Sequence, residues 1–300
     1  MLNIYEQIDA NKNKSNLIIG IFICFICVTA YILGQANGYG LSYTGFALII
    51  SGLISFSSYY YSDKIILTIS RAKPASKKDN FMFYTVVENL CLATQLPMPK
   101  LYVINDTALN AFATGRDPKH AVICVTSGLL ATLDRTELEG VIAHELSHIK
   151  NYDIRLMSIV VILVGMITLM ADWFLRFSLR GKGKNNDNNQ LQIFFIITGF
   201  ILALLSPLIA NLIKLAISRR RELLADASAV KITRFPPGLT RALEKISKDK
   251  EPLEAANKAT AHLYISDPLK NRHDSIGWFS GLFNTHPPIS QRLAALKQMS

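Results

Sequence analysis

Four long apolar runs divide this 300-residue chain into bilayer-length segments and polar segments. They cover residues 17–33, 41–61, 154–177 and 191–213, and the first is at the lower length limit for a helix that crosses a bilayer. A polar leader, residues 1–16, precedes them. No small-residue cleavage site separates the first two runs, so they predict a helical hairpin over residues 17–61 and not a signal peptide. The tip of the hairpin is uncharged and its flanks are basic, which predicts that both ends face the cytoplasm.

The third and fourth runs are expected to form a second helical pair over residues 154–213. Their connection contains a flexible polar loop, residues 180–190, and is basic, carrying Arg176, Arg180, Lys182 and Lys184. Positive charge on an outer loop contradicts the positive-inside tendency. The pair therefore either tilts, dips partway into the bilayer, or spans it against that tendency. Whether both of these runs cross the bilayer or neither does, the chain returns to the same side of the membrane. Both polar regions therefore lie on one side in either case.

The polar regions 62–153 and 214–300 are expected to form two parts of one domain. Residues 74–79 are typical of a linker, and 81–95 and 127–133 have helical patterns. Three short extended segments, Lys100–Ile104, Asn110–Thr114 and Ala121–Thr126, are separated by turn residues and predict a small sheet. Further helices are expected at 222–232 and 289–297. The expected fold is an α-helical integral membrane protein with a mostly helical α+β domain.

The stretch from Thr136 to Asp153 has the strongest helical pattern of the polar regions. Thr136 and Glu139 have the spacing of a capping box, and no Pro or Gly follows before the third apolar run. An apolar face is formed by Leu138, Val141, Ile142, Leu146 and Ile149.

This helix carries the H-E-x-x-H pattern of zinc peptidases. His144 and His148 are four residues apart, so they lie one turn apart on one face and can hold one metal ion. Glu145 lies beside that ion, where it can act on a water molecule. Two such histidines can also be ordinary surface residues, and the neighbouring features decide between these readings.

Catalytic zinc usually takes three protein ligands, so one more must come from elsewhere in the chain. Glu222 is the best candidate. The number of residues between the fourth run and Glu222 is similar to the number between His148 and the third run. If those runs are antiparallel neighbours, the metal lies just above the membrane surface. Alternatively, Glu222 only neutralises part of the positive charge of Arg219, Arg220 and Arg221. Asp226, one turn later, is either a hydrogen-bond acceptor for His144 or His148, or a surface partner of a basic neighbour.

Composition narrows the class of protein. Half of the residues are hydrophobic and the mean hydropathy is +0.25, which is too apolar for an ordinary soluble domain. The four cysteines indicate no disulfide framework, so the polar domain is expected in a reducing compartment. The net charge is +10, and the basic residues lie mainly beside apolar runs, where they can interact with anionic lipid headgroups. Nucleic acid is therefore rejected as the main partner.

Several motifs together resemble the HtpX-type membrane zinc metalloproteases. These are His144-Glu-Leu-Ser-His148 with Asn151-x-Asp153, Arg219-Arg-Arg-Glu222-Leu-Leu-Ala-Asp226, Asn110-Ala-Phe-Ala-Thr-Gly115, and Thr285-His286-Pro-Pro with Arg292. More distantly, the chain is similar to prenyl-protein endopeptidases that share the Glu-x-x-x-Asp arrangement. One departure is Tyr152, where the family often has Gly.

The resemblance implies a zincin-like protease domain with one Zn²⁺ per chain, bound by His144, His148 and Glu222. Glu145 would be the general base, and the segment from Asn110 to Gly115 an edge strand that pairs with extended substrate. His286 would bind substrate or stabilise the oxyanion. The implied protein is a multi-pass endopeptidase of the bacterial inner membrane with a cytoplasmic site, acting in stress response.

The resemblance further implies substrates that are cytoplasmic segments of misfolded or damaged membrane proteins. Two alternatives stay open: a dedicated substrate such as a lipid-modified peptide, and a catalytically silent scaffold that keeps zinc for structure. The patch from Trp278 to Phe283 either lines a substrate path, touches lipid or packs in the core. The number of subunits is left open.

Overall fold

A computed structural model describes residues 4–36, 41–163, 219–249, 251–254, 263–265 and 287–299 of the chain. The fourth apolar run, the loop at 180–190, most of the third run, His286 and the Trp278–Phe283 patch lie outside these residues. The predictions made for them stay predictions.

The first two apolar runs form a pair of packed helices, α1 (Ile4–Ala36) and α2 (Leu41–Tyr60). The polar leader is part of α1 from residue 4 onward, so the first helix is longer than its apolar run. Within the described residues, one helical segment, Ile8–Val28, is long and apolar enough to cross a membrane. A short helix, α3 (Ser62–Ile69), follows.

Four strands form one sheet in the order β1-β2-β4-β3. They are β1 (Lys73–Pro74), β2 (Lys100–Ile104), β3 (Ala111–Gly115) and β4 (Ala121–Thr126). β2 runs parallel to β4, and the other two pairs are antiparallel. The three expected strands are present within one residue at each end. The interpretation of 74–79 as linker missed β1, because two exposed residues carry no alternating pattern.

Helix α6 (Arg135–Lys150) is the centre of the polar domain. It packs against β3, α4 (Phe81–Thr94), α7 (Arg219–Thr233) and α8 (Pro236–Lys248). It approaches α8 closely because Gly140 leaves no side chain between the helices: a Cβ atom there would lie 2.6 Å from the backbone nitrogen of Leu239. The expected apolar face is buried in the core. Two further helices are α5 (Ser127–Thr132) and α9 (Ile289–Lys297).

The start of α6 differs from the expected capping box. Asp134 is the N-cap: its carboxylate accepts from the backbone N–H of Glu137, and the Glu137 carboxylate accepts from the Asp134 N–H, both at 2.9 Å. Thr136 instead donates to Asp134, and Glu139 pairs with Arg135 at 3.1 Å. The Thr136–Glu139 assignment was therefore wrong by two residues, because Asp caps a helix as well as Thr and the apolar pattern does not define the first turn.

The end of α6 is a sharp turn, although no Pro or Gly is present. Asn151 caps the helix, and Tyr152 has a φ angle of 58°, the left-handed conformation that glycine adopts most easily. A second helical segment, 153–163, begins at once. This turn brings Asp153 back toward the last turn of α6, where its carboxylate lies 3.0 Å from His148.

Candidate metal centre

Two helices bring the three expected metal ligands together. His144 and His148 lie one turn apart on α6, with their Nε2 atoms 3.2 Å apart. Glu222, from α7, has Oε2 3.6 Å from His144 Nε2 and Oε1 3.5 Å from His148 Nε2. One ligand atom from each residue lies within 4.8 Å of the others, and all three side chains are buried. This buried position does not fit the alternative in which Glu222 only offsets surface arginines.

A carboxylate holds the outer nitrogen of each histidine. Asp226 Oδ1 lies 2.9 Å from His144 Nδ1, and Asp153 Oδ2 lies 3.0 Å from His148 Nδ1. An ionised carboxylate only accepts, so each Nδ1 carries the proton that it donates. Both Nε2 atoms of the neutral imidazoles then direct lone pairs toward each other and toward Glu222. Three facing electron-pair donors repel one another unless a cation lies between them, so the donor set fits a metal ion such as zinc.

Asp226 makes contacts that bear on both roles left open for it. It accepts from His144 and not from His148, and its basic partner is the buried Arg292 on α9. Arg292 donates to Asp226 through Nε at 2.8 Å and through Nη2 at 2.6 Å. The sequence assigned no role to Arg292 or to Asp153, although both belong to the motifs that carried the resemblance.

Without a metal ion, the acidic groups around His144 favour its protonated form, and a bound cation would take the place of that proton. Burial and the charge of Arg292 act to lower the pKa of His144, but hydrogen bonds to Asp226 and Glu222 outweigh them and raise it to about 9. Burial likewise acts to raise the pKa of Asp226, but Arg292 and His144 lower it to about 2. Asp226 is therefore an anion at neutral pH, ready to orient His144.

Glu145 faces the same small cavity as the metal-ligand candidates. Burial raises the pKa of its carboxyl group above the ordinary value. The cavity, about 10 Å³ in volume, is lined by Ala113, His144, Glu145, His148, Met157, Glu222, Leu263 and Ile265. That is roughly the room that one water-sized sphere requires. The site in this conformation thus admits a water molecule or an ion, but no peptide.

The outer edge of β3 lies beside this cavity. Within the described residues β3 is the edge strand of the sheet, and it starts at Ala111 and not at Asn110. The Asn110 backbone bonds to Thr126 of β4, and its side-chain Oδ1 accepts from the Ala111 N–H at 3.2 Å. On the outer side, the Ala111 carbonyl accepts from the N–H of Ile265 at 3.0 Å. Part of the chain itself therefore occupies this edge.

A helical H-E-x-x-H pair, a carboxylate from a second helix and a buried glutamate beside them form an arrangement typical of metallopeptidases. The comparison with known families agrees. The model of peptidase family M48 matches residues 78–300, and the chain belongs to that family and is a metalloprotease. The family and the apolar first helix together indicate a membrane protease.

Relatives named "Protease HtpX homolog" match over nearly the full chain. The one from Dictyoglomus thermophilum is 43% identical over 306 residues, covering 98% of this chain and 94% of that protein. The one from Streptococcus uberis is 42% identical over 305 residues, covering 99% and 100%. The resemblance to HtpX-type proteases is confirmed. Among solved structures, the crystal structure of S. mikatae Ste24p is 17% identical with a TM-score of 0.49, covering 97% of this chain and 67% of that one.

Proposed function

We propose that the protein is a membrane zinc endopeptidase whose zinc ion is held by His144, His148 and Glu222. One observation carries the assignment: both histidines have their outer nitrogens hydrogen-bonded to carboxylates. Their inner nitrogens and the Glu222 carboxylate then converge as three electron-pair donors. A zinc ion held there supplies Lewis acidity, which lowers the pKa of a water molecule and polarises the scissile carbonyl.

Glu145 is the general base in this proposal. Its carboxylate accepts a proton from the attacking water and later delivers it to the leaving amine, so no covalent enzyme intermediate is needed. Burial raises the pKa of Glu145, which brings it closer to the pH at which the protein works. A carboxylate with a raised pKa is a stronger base than an exposed one, and a pKa near the working pH still lets it return the proton. Arg292 and Asp226 keep His144 oriented meanwhile.

The substrate binds as an extended segment along the outer edge of β3. Ala113 lies on that strand and also lines the cavity, so a peptide on this edge passes the metal ligands. Asn110 fixes the start of the strand by accepting from the Ala111 N–H. Because Ile265 bonds to Ala111, residues 263–265 must move before a peptide can pair there. For His286, a role in substrate or oxyanion binding rests on the resemblance.

Substrates are cytoplasmic segments of misfolded or damaged membrane proteins, and the protein serves membrane quality control in a bacterial inner membrane. Support comes from the position of the site relative to α1. Ile18 and Phe22 of the apolar segment pack into the same cluster as Leu156 and Met157, directly after the metal-site turn. A site joined so closely to an apolar helix meets chains that emerge from the bilayer. The basic flanks of the hairpin favour the cytoplasmic side.

The test compares wild-type protein, Glu145→Gln and Glu222→Ala in detergent, measuring zinc content and cleavage of an unfolded protein. We expect one zinc per chain and cleavage in wild type. Glu145→Gln keeps the zinc and loses at least ~100-fold in turnover, the lower range for a lost general base. Glu222→Ala loses both.

Each other outcome has a definite meaning. Near-normal turnover of Glu145→Gln refutes its role as the base. Zinc in all three proteins with cleavage by none indicates a scaffold with a structural metal and overturns the Glu222 assignment. A defined peptide that is cleaved far faster than unfolded proteins indicates a dedicated substrate in place of quality control.

A further inference from the structure

The first helix reaches the metal centre through one buried amide, that of Asn11. This residue belongs to the polar leader, and its side chain is 4% exposed. Its Nδ2 donates to Asp153 Oδ1 at 2.8 Å and to the carbonyl of Asn151 at 2.9 Å. Its Oδ1 accepts from Nη1 of Arg221 at 3.2 Å. One side chain therefore joins α1, the turn that ends α6, and α7.

These bonds determine how the Asp153 carboxylate faces His148. Oδ1 accepts from both Asn11 and Arg221, each on a different helix. The other oxygen, Oδ2, therefore faces His148 and accepts a hydrogen bond from its Nδ1 at 3.0 Å. An acceptor on the outer nitrogen fixes the tautomer and ring orientation of a metal-binding histidine. Asn11 is thus two hydrogen bonds away from the imidazole ring of His148.

Apolar packing does not explain why an amide occupies this position. Ile18 and Phe22 already anchor α1 against the segment after Asp153. A buried amide costs free energy unless its hydrogen bonds are made, so an apolar residue would suffice for docking alone. Asn11 instead makes directional bonds to the turn that supports His148. Lys12 contacts the same turn, with Nζ 4.7 Å from the centre of the Tyr152 ring.

We infer that Asn11 is a positioning residue of the metal centre, which acts on His148 through Asp153. The first helix is accordingly part of the support of the active site as well as an apolar anchor. The inference rests on the ligand set proposed above, because it requires that His148 binds the metal.

The test measures zinc affinity of the full chain in detergent by competition with a chelator. Asn11→Ala is expected to raise the zinc dissociation constant about 10-fold, the lower end for loss of a partner behind a metal ligand, because Arg221 still holds Asp153. The matched control is Asn16→Ala on the same helix, an exposed amide whose Oδ1 accepts from Arg155 at 3.0 Å. We expect the control to match wild type. An Asn11→Ala dissociation constant equal to that of the control overturns the inference.

A second variant separates hydrogen bonding from packing. Asn11→Asp keeps the volume of the side chain and removes both N–H donors. If Asn11 acts by donating to Asp153, Asn11→Asp weakens zinc binding at least as much as Asn11→Ala; if it retains wild-type affinity, the role is packing and the inference fails. The visible absorption of the Co²⁺-loaded protein is an independent readout. It should change in Asn11→Asp and not in Asn16→Ala, because it reports the geometry of the ligands.

A double-mutant cycle identifies the route of the effect. Asn11→Ala combined with Asp153→Asn should lose less affinity than the sum of the two single changes, since both act on one contact. Combined with Asp226→Asn, the losses should add. Additivity with Asp153→Asn contradicts the inference.

Failure of the inference can be told from failure of the proposed function. If wild type and Glu222→Ala bind zinc equally, the ligand set itself is wrong. If Glu222→Ala loses zinc while both Asn11 variants retain wild-type affinity, only the inference fails.

Discussion

The two histidines of the metal centre are supported in different ways. On the His144 side, Asp226 is held by two N–H groups of one arginine, Arg292, whose side chain is 0% exposed. On the His148 side, Asp153 is held by an amide from α1 and by Arg221, whose side chain is 13% exposed. The first support is a fully buried ion pair, whereas the second is a mixed network that reaches the surface. Each imidazole therefore has an oriented hydrogen-bond acceptor behind it. Loss of the arginine partner is expected to cost more free energy on the buried His144 side than on the His148 side.

The largest effect is expected from breaking the buried pair. Arg292→Met removes the charged partner of the buried Asp226 anion and should lower the free energy of unfolding by about 3–5 kcal/mol. Arg221→Met is the matched comparison, and it should cost less because Arg221 is partly exposed and Asn11 still contacts Asp153. Denaturant unfolding of both variants in detergent measures the difference. Equal losses would show that the two sides are equivalent.

The second-largest effect is expected on metal affinity when Asp226 or Asp153 is replaced by the neutral asparagine. Asp226→Asn should weaken zinc binding by roughly 10–100-fold, the range for partners behind a metal ligand. Asp153→Asn should lie at the lower end of the same range. The difference arises because Asp226→Asn leaves the Arg292 cation buried near the zinc ion, 3.9 Å from Glu222. Chelator competition on both variants gives the order, and an unchanged dissociation constant in Asp226→Asn would remove it from the site.

The smallest effect is expected in the turn between α6 and the following helix. Tyr152→Gly relieves a left-handed conformation that costs a non-glycine residue about 1–2 kcal/mol. It also removes the Lys12 contact to the ring, worth about 0.5–1 kcal/mol at an exposed site. The free energy of unfolding should therefore rise by about 0–1.5 kcal/mol.

Tyr152→Ala is the control for this turn, because it loses the ring contact and keeps the strained backbone. Thermal melting should rank Gly above Ala. The reverse order would mean that the ring and not the backbone conformation matters at this position.

Structural features that depend on residues close together in the sequence were predicted more accurately than contacts between distant residues. The strands Lys100–Ile104 and Ala121–Thr126 and the helix at 289–297 were predicted to the residue, because each has a local pattern bounded by turn residues. The error at the start of α6, the capping box, occurs where several local solutions are equally good. Asp134 caps as well as Thr136.

By itself, the sequence determined that His144 and His148 share a helix face and that Glu145 lies beside them, since a four-residue spacing on a helix has one geometric outcome. Glu222 and Asp226 could be nominated from the sequence because a third ligand and an acceptor were required by chemistry. Only the tertiary structure decided that Asp226 serves His144 while Asp153 serves His148. It alone placed Arg292 and Asn11 behind those carboxylates, from positions 66 and 142 residues away along the chain. Such contacts depend on how helices pack, and no local pattern encodes which buried polar groups will meet.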